Sequence, residues 1–278
     1  MVTVDYAGPE ERDEIAEFMA RVFPKARWGL DTWRALLKGR WARPGDPYAV
    51  TARADGCLVG AYALVVAERQ TSVGRRIVAN MSSWYVLKPY RNDGVGRRMI
   101  ALAAFGPEVT PMGFGSTPPG RRPLEALGYA SMADGRLIWA ARVAAGPLLK
   151  VHRDPLALGP LLPEGERRII EDHAGLNLAF PAVETPDGPC FLAVAEKRLH
   201  EAYLSHVIYR ASDRDLLARH GRQIADALLS EGAVLEVDRR LVGAGAQPDR
   251  VEEPRAAQLY LPGVDPPDDL KHVYSELQ

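Results

Sequence analysis

The stretch from Arg76 to Phe105 constrains the fold more than any other part of the chain. Arg76 to Leu87 is rich in Val, Ala and aromatic residues and predicts a strand. Pro89 ends it, because proline cannot donate to a strand ladder. Arg91-Asn92-Asp93-Gly94-Val95-Gly96 then opens a helix through Phe105, with Val95, Met99 and Leu102 at helical spacing. A strand that enters a helix through such a loop can point successive backbone N–H groups at one anion, and the helix amino terminus adds roughly half a positive charge. Arg91, Arg97 and Arg98 add more, and glycine keeps a Cβ from holding a phosphate away. A diphosphate is the natural ligand. The bland alternative is a glycine-containing helix entry with surface arginines. The spacing fits neither a Walker loop nor a Rossmann fingerprint, which needs a third glycine after Gly94 and Gly96.

The flanking sequence supplies a sheet and its helices. Val2 and Val4 suggest a short first strand, and Ile15, Phe18, Met19 and Val22 form one helical face. Leu30 to Lys38 is a second helix, with Trp33, Leu36 and Leu37 on one side. Tyr48 to Arg53 and Cys57 to Glu68 are strands joined by the hairpin signal Asp55-Gly56, which makes three antiparallel strands with Arg76 to Leu87. Glu108 to Ser116 predicts the next strand, Pro119 to Leu127 a helix, and Leu137 to Val143 a closing strand.

Residues 144 to 163 are rich in Gly, Pro and Leu, so a chain of 278 residues divides into domains at 1–143 and 144–278. In the second, Asp187-Gly188 precedes a strand over Pro189 to Lys197, followed by Glu201 to Ala211. A capping box, Ser212-Asp213-Arg214-Asp215, starts a helix to Ser230. Ala233 to Val242 and Ala257 to Leu261 are further strands, and Pro266 to Leu277 a last short helix. The shared order of turn, strand, strand, helix and strand points to an internal duplication.

Charge and composition narrow the function. Lys and Arg total 35 against 36 Asp and Glu, which removes the global attraction that nucleic acid or an anionic membrane would need. No basic segment precedes an apolar core, and no apolar run approaches the roughly 20 residues of a membrane span, so a cytoplasmic protein is expected. Cys57 and Cys190 lie in apolar runs and are expected to be buried, reduced thiols. The 6 histidines show no metal spacing, and Gly113-Phe114-Gly115-Ser116-Thr117 is no nucleophile elbow. Arg214, Arg219, Arg222, Arg239 and Arg240 alternate with acids as on a solvated face.

The run Val86-Leu87-Lys88-Pro89-Tyr90-Arg91-Asn92-Asp93-Gly94-Val95-Gly96 resembles the pyrophosphate-binding motif of the GNAT superfamily, Arg or Gln, two residues, Gly, any residue, then Gly or Ala. The order of elements around it, over residues 1 to about 143, is also similar. The resemblance implies an α/β fold with a mixed, mostly antiparallel central sheet and flanking helices, in two GNAT-like halves, the second degenerate and without a diphosphate loop. It implies acetyl-CoA or another acyl-CoA as donor, with backbone groups of Tyr85, Val86 and Leu87 on the pantetheine arm. N–H groups of Arg91, Asn92, Asp93, Gly94, Val95, Gly96 and Arg97 would hold the diphosphate. The Tyr85 N–H would meet the thioester carbonyl, a donor that stabilises the developing oxyanion.

The implied activity is N-acyl transfer to a small-molecule amine by direct attack. The alternatives are a CoA-binding or regulatory protein with little turnover, and an acyltransferase served by an acyl carrier protein; a homodimer stays open. The sequence departs from the family where acid–base groups are expected. Met81 stands in the place of a Glu, Leu124 in the place of a Tyr, and Tyr129 matches a terminal aromatic that normally packs. Ser82, Ser83, Tyr85 and Glu17 are the candidate substitutes, each with an ordinary structural role as its alternative.

Overall fold

The computed structural model describes residues 1–278 apart from 27, 92–93, 117, 133–134, 144–145, 201–202, 255, 264–273 and 275–278. The chain divides into two compact units, Met1–Met132 joined by a strand returning from the C-terminal region, and Ala133–Pro254. The first unit runs β1 (Val2–Tyr6), α1 (Arg12–Val22), α2 (Leu30–Leu36), β2 (Ala49–Ala54), β3 (Cys57–Thr71), β4 (Gly74–Val86), α3 (Val95–Ala103), β5 (Val109–Ser116), α4 (Pro118–Glu125) and β6 (Ala130–Ser131). The second runs β7 (Arg136–Ala140), β8 (Lys150–His152), α5 (Glu164–Asp172), β9 (Ala182–Thr185), β10 (Gly188–His200), β11 (Tyr203–Ala211), α6 (Arg214–Leu228), β12 (Val234–Asp238) and β13 (Arg250–Glu252). The chain then returns to the first sheet as β14 (Ala257–Tyr260).

Local chemistry places these elements. Asp55 (φ 49) and Gly56 (φ 80) both take the left-handed conformation that a two-residue hairpin demands, so β2 and β3 pair antiparallel. Side chains alternate across the sheet. Ala61, Ala63 and Val65 of β3 pack with Ile15, Phe18 and Met19 of α1 and Trp33 of α2, while Tyr62, Leu64 and Val66 pack with Val95, Met99 and Ile100 of α3. Each helical stripe thus buries its apolar face against one side of one sheet.

The sheets are ordered β1-β2-β3-β4-β5-β14-β6 and β13-β7-β12-β11-β10-β9-β8, the same sequence of roles twice. Among the described residues the strand pairings are antiparallel except β4 with β5 and β11 with β12. The expected fold class and the two similar halves stand.

The expected boundary at 143/144 does not. The strand expected over Leu137 to Val143 is β7, and it lies in the second sheet, between β12 and β13, while β14 takes the matching place between β5 and β6. The reason is packing. Trp139 is fully buried in the core under α6, where a Cβ on Gly221 would lie 2.7 Å from its ring. Apolar patterning marks a strand but does not name its partner.

Cys190 is buried as expected, and burial pushes its thiol up to about 12. Cys57 is exposed, because it opens β3 directly after the turn. The helix expected over Pro266 to Leu277 lies, apart from Tyr274, outside the described residues. Among the described residues no helix is long and apolar enough to cross a membrane, and no cluster could hold a metal ion.

Candidate acyl-donor site

The site begins where β4 loses a neighbour. Ile77 to Asn80 pair with Val109 to Met112 of β5, whereas β3 continues to pair with β4 as far as Val86. Between Leu64↔Met81 and Tyr62↔Trp84 the register shifts, so Ser82 and Ser83 together oppose Ala63. Such a bulge bends its strand and increases its twist. From Met81 to Val86, β4 has no β5 partner among the described residues and leaves one backbone edge for a ligand.

Register decides which amides face that edge. Leu87 N–H donates to the Val59 carbonyl at 2.8 Å, which makes Ala61 and Tyr85 a hydrogen-bonded pair and turns the Tyr85 amide toward β3. The amides and carbonyls of Trp84 and Val86 face the open side, as the Arg91 Nε–H bond to the Val86 carbonyl (2.8 Å) illustrates. Consecutive strand residues alternate. Tyr85, Val86 and Leu87 therefore cannot all present backbone groups to one edge: Trp84 and Val86 face the open side, and Tyr85 and Leu87 face β3. That neighbours alternate is a property of any strand, but which of them face the edge is set by the register.

The entry to α3 has the local geometry that an anion site requires. Gly94 is left-handed (φ 65) with nothing within 4 Å of a built Cβ, and no side chain caps α3. Among the described residues the first helical donor is Arg98 N–H, bonded to the Gly94 carbonyl at 3.1 Å, with the amides of Val95, Gly96 and Arg97 ahead of it. Arg97 is exposed beside them, whereas Arg98 is drawn off to the Val2 carbonyl. Arg91 folds back, with its guanidinium 5.0 Å from the Tyr85 ring centre. Gly96 has a different reason from the one expected: a Cβ there would lie 2.5 Å from the Trp84 ring. Asn92 and Asp93 lie outside the described residues.

The catalytic candidates scatter. The Tyr85 ring packs edge-on against Phe23 at 5.6 Å and Phe18 at 6.5 Å. Ser82 is buried with its hydroxyl unpaired among the described residues, Ser83 is half-buried, and Glu17 is exposed on α1. Met81 and Leu124 are buried in the α3-side core. Tyr129 is buried too, and its hydroxyl donates to Met81 Sδ at 3.4 Å; burial raises its pKa. A cavity of about 560 Å³ sits elsewhere, at the start of β4 and β5, where Arg75 pairs with Glu68 at 2.5 Å and Arg43 with Asp46 at 2.9 Å.

The second unit has the splay without the anion site. Its β11–β12 pairing ends at Ile208, and Ala193↔Arg210 stands where Ala61↔Tyr85 does. Ser212 N–H donates to the Phe191 carbonyl at 2.8 Å, as Leu87 does to Val59. Lys88–Gly94 then separate Leu87 from α3, but Asp213 alone separates Ser212 from α6. The cap is Asp213, not Ser212: its carboxylate accepts from the amides of Asp215 (2.8 Å) and Leu216 (2.9 Å) and fills an anion's place. Arg210 makes a two-point ion pair with Glu166 of α5 (2.5 and 2.6 Å).

Residues 12–105 match the model of the acetyltransferase (GNAT) family. No curated protein matches the chain in sequence. Among solved structures, a GCN5-related N-acetyltransferase from Anabaena variabilis is similar, with a TM-score of 0.59 at 10% identity over 94% of this chain and 72% of that one. Another from Kribbella flavida gives 0.58 at 14% identity over 94% and 70%. A third, from Sphaerobacter thermophilus, gives 0.52 at 15% over 96% and 98%. The likeness in fold thus runs through both units, and the match to the acetyltransferase (GNAT) family model lies within the first.

Proposed function

We propose that the first unit binds an acyl-CoA, acetyl-CoA foremost, and transfers the acyl group directly to a small-molecule amine. One observation carries this reading: the open edge of β4 from Met81 to Val86 leads to the uncapped amino terminus of α3. Pantetheine amides would pair with Trp84 and Val86 as a strand does, and the diphosphate would rest on the amides of Val95, Gly96 and Arg97. Transfer then needs proximity and a donor where negative charge develops on the thioester oxygen, which the Trp84 N–H supplies.

Calorimetry with CoA, acetyl-CoA and pantetheine tests the assignment. Gly96→Glu would disturb Trp84 whatever the ligand, so the variant of choice is Arg97→Glu, exposed and in the first turn of α3. It is expected to weaken CoA at least tenfold and leave pantetheine unchanged. Equal CoA binding by both proteins, or none by wild type, sinks the diphosphate site.

A second reading, a CoA-binding protein with little turnover, is favoured by the burial of Met81 and Leu124, neither of which can move a proton. Thiol release across a panel of amines separates the two.

A further inference from the structure

The cavity of about 560 Å³ at the start of β4 and β5 lies wholly within the first unit, at the opposite end of β4 from the splay. We infer that it binds an organic ammonium ion carried on an apolar body, independently of any acyl donor.

The floor is apolar. Ile77 and Val109 are buried in the α3-side core, and Leu261 packs beside them. Three arginines also line the cavity, but their charges are already engaged or point elsewhere. Arg43 holds Asp46 through Nε (3.2 Å) and Nη2 (2.9 Å), and Arg75 holds Glu68 at 2.5 Å. In the β3–β4 register Ile77 stands opposite Glu68 and Arg76 opposite Arg69, so the Arg76 side chain projects from the other face of the sheet.

Glu108 is the charge left over. It is exposed on the cavity wall and has no hydrogen-bond or ion-pair partner among the described residues. Its carboxylate oxygens lie 2.9 and 3.0 Å from the place a Cβ on Gly106 would take, so the side chain folds over that glycine, which also lines the cavity. A second acceptor adjoins it. Leu261 N–H donates to the Pro111 carbonyl at 2.9 Å, and Val109, two residues back along the same edge of β5, has no β14 partner among the described residues. Its carbonyl is open to a donor. An ammonium ion brings N–H donors and a positive charge to these two acceptors, while its hydrocarbon covers Ile77, Val109 and Leu261. A carboxylate or phosphate would meet Glu108 as a like charge.

The test uses benzylammonium, with benzyl alcohol and benzoate as its neutral and negative counterparts, and follows the Ile77 methyl resonance, which reports on this cavity and on no other site. Benzylammonium is expected to move that resonance saturably, with roughly millimolar affinity for so small a ligand. Glu108→Gln, an exposed and conservative change, is expected to weaken it about fivefold, and Glu108→Lys to make benzoate the tighter ligand. Benzyl alcohol or benzoate binding wild type as tightly as benzylammonium, undiminished binding by Glu108→Gln, or an unchanged order of affinities in Glu108→Lys overturns the ammonium site. An Ile77 methyl that no probe moves overturns the cavity as a site altogether. Neither result touches the acyl-donor reading, which CoA calorimetry decides by itself.

Discussion

Gly94 and Gly96 look alike in the motif and are held by different forces. Gly94 is fixed by backbone conformation, since a left-handed residue without a Cβ turns the chain into α3. Gly96 is fixed by Trp84, whose ring would lie 2.5 Å from any Cβ. Gly96→Ala is therefore expected to destabilise the protein by about 1–3 kcal/mol through overpacking, measured as a lower urea midpoint at unchanged slope. An unchanged midpoint would mean that Trp84 yields freely. The glycines were legible because a glycine-containing helix entry has a local signature. The ring behind Gly96 was not, because nothing in a strand's sequence says which loop it will meet.

At the scale of elements, the hairpin and the helical faces followed from turn chemistry and periodicity, and both hold: Asp55-Gly56 sits in the turn, and Val95 and Met99 are buried on the inner face of α3. Strand partnership did not follow. β7 and β14 exchange places relative to their order in the sequence, each completing the sheet of the other half. Ending the chain at Pro254 removes β14, exposes the edges of β5 and β6, and takes the fully buried Leu259 from the core. The loss of that leucine alone is worth about 2–5 kcal/mol. Amide exchange in β5 of this shortened protein is expected to become fast, and protection equal to that of the full chain would show that β14 is dispensable. A fragment ending at residue 143 carries the same defect, with β7 left unpaired.

The whole molecule repeats one sheet plan with unequal endings. Both halves carry a bulged strand that leaves its parallel neighbour, but only the first continues through a loop to an uncapped helix. In the second, Asp213 already binds the helix amides, and Arg210 with Glu166 stands where Tyr85 meets α1. Calorimetric titration is accordingly expected to give one CoA per chain. A stoichiometry of two would mean that Asp213 gives way to a diphosphate.

The sequence by itself determined the elements, the repeated plan, the glycine-containing entry to α3 and the residues that stand at positions 81 and 124, because these depend on periodicity, turn chemistry and residues close together in the chain. Only the tertiary structure decided that β7 and β14 change sheets, that Trp84 and Val86 rather than Tyr85 face the ligand edge, and that the Tyr129 hydroxyl meets Met81. Those facts rest on register and on contacts between distant residues, which packing settles only when the whole chain is folded.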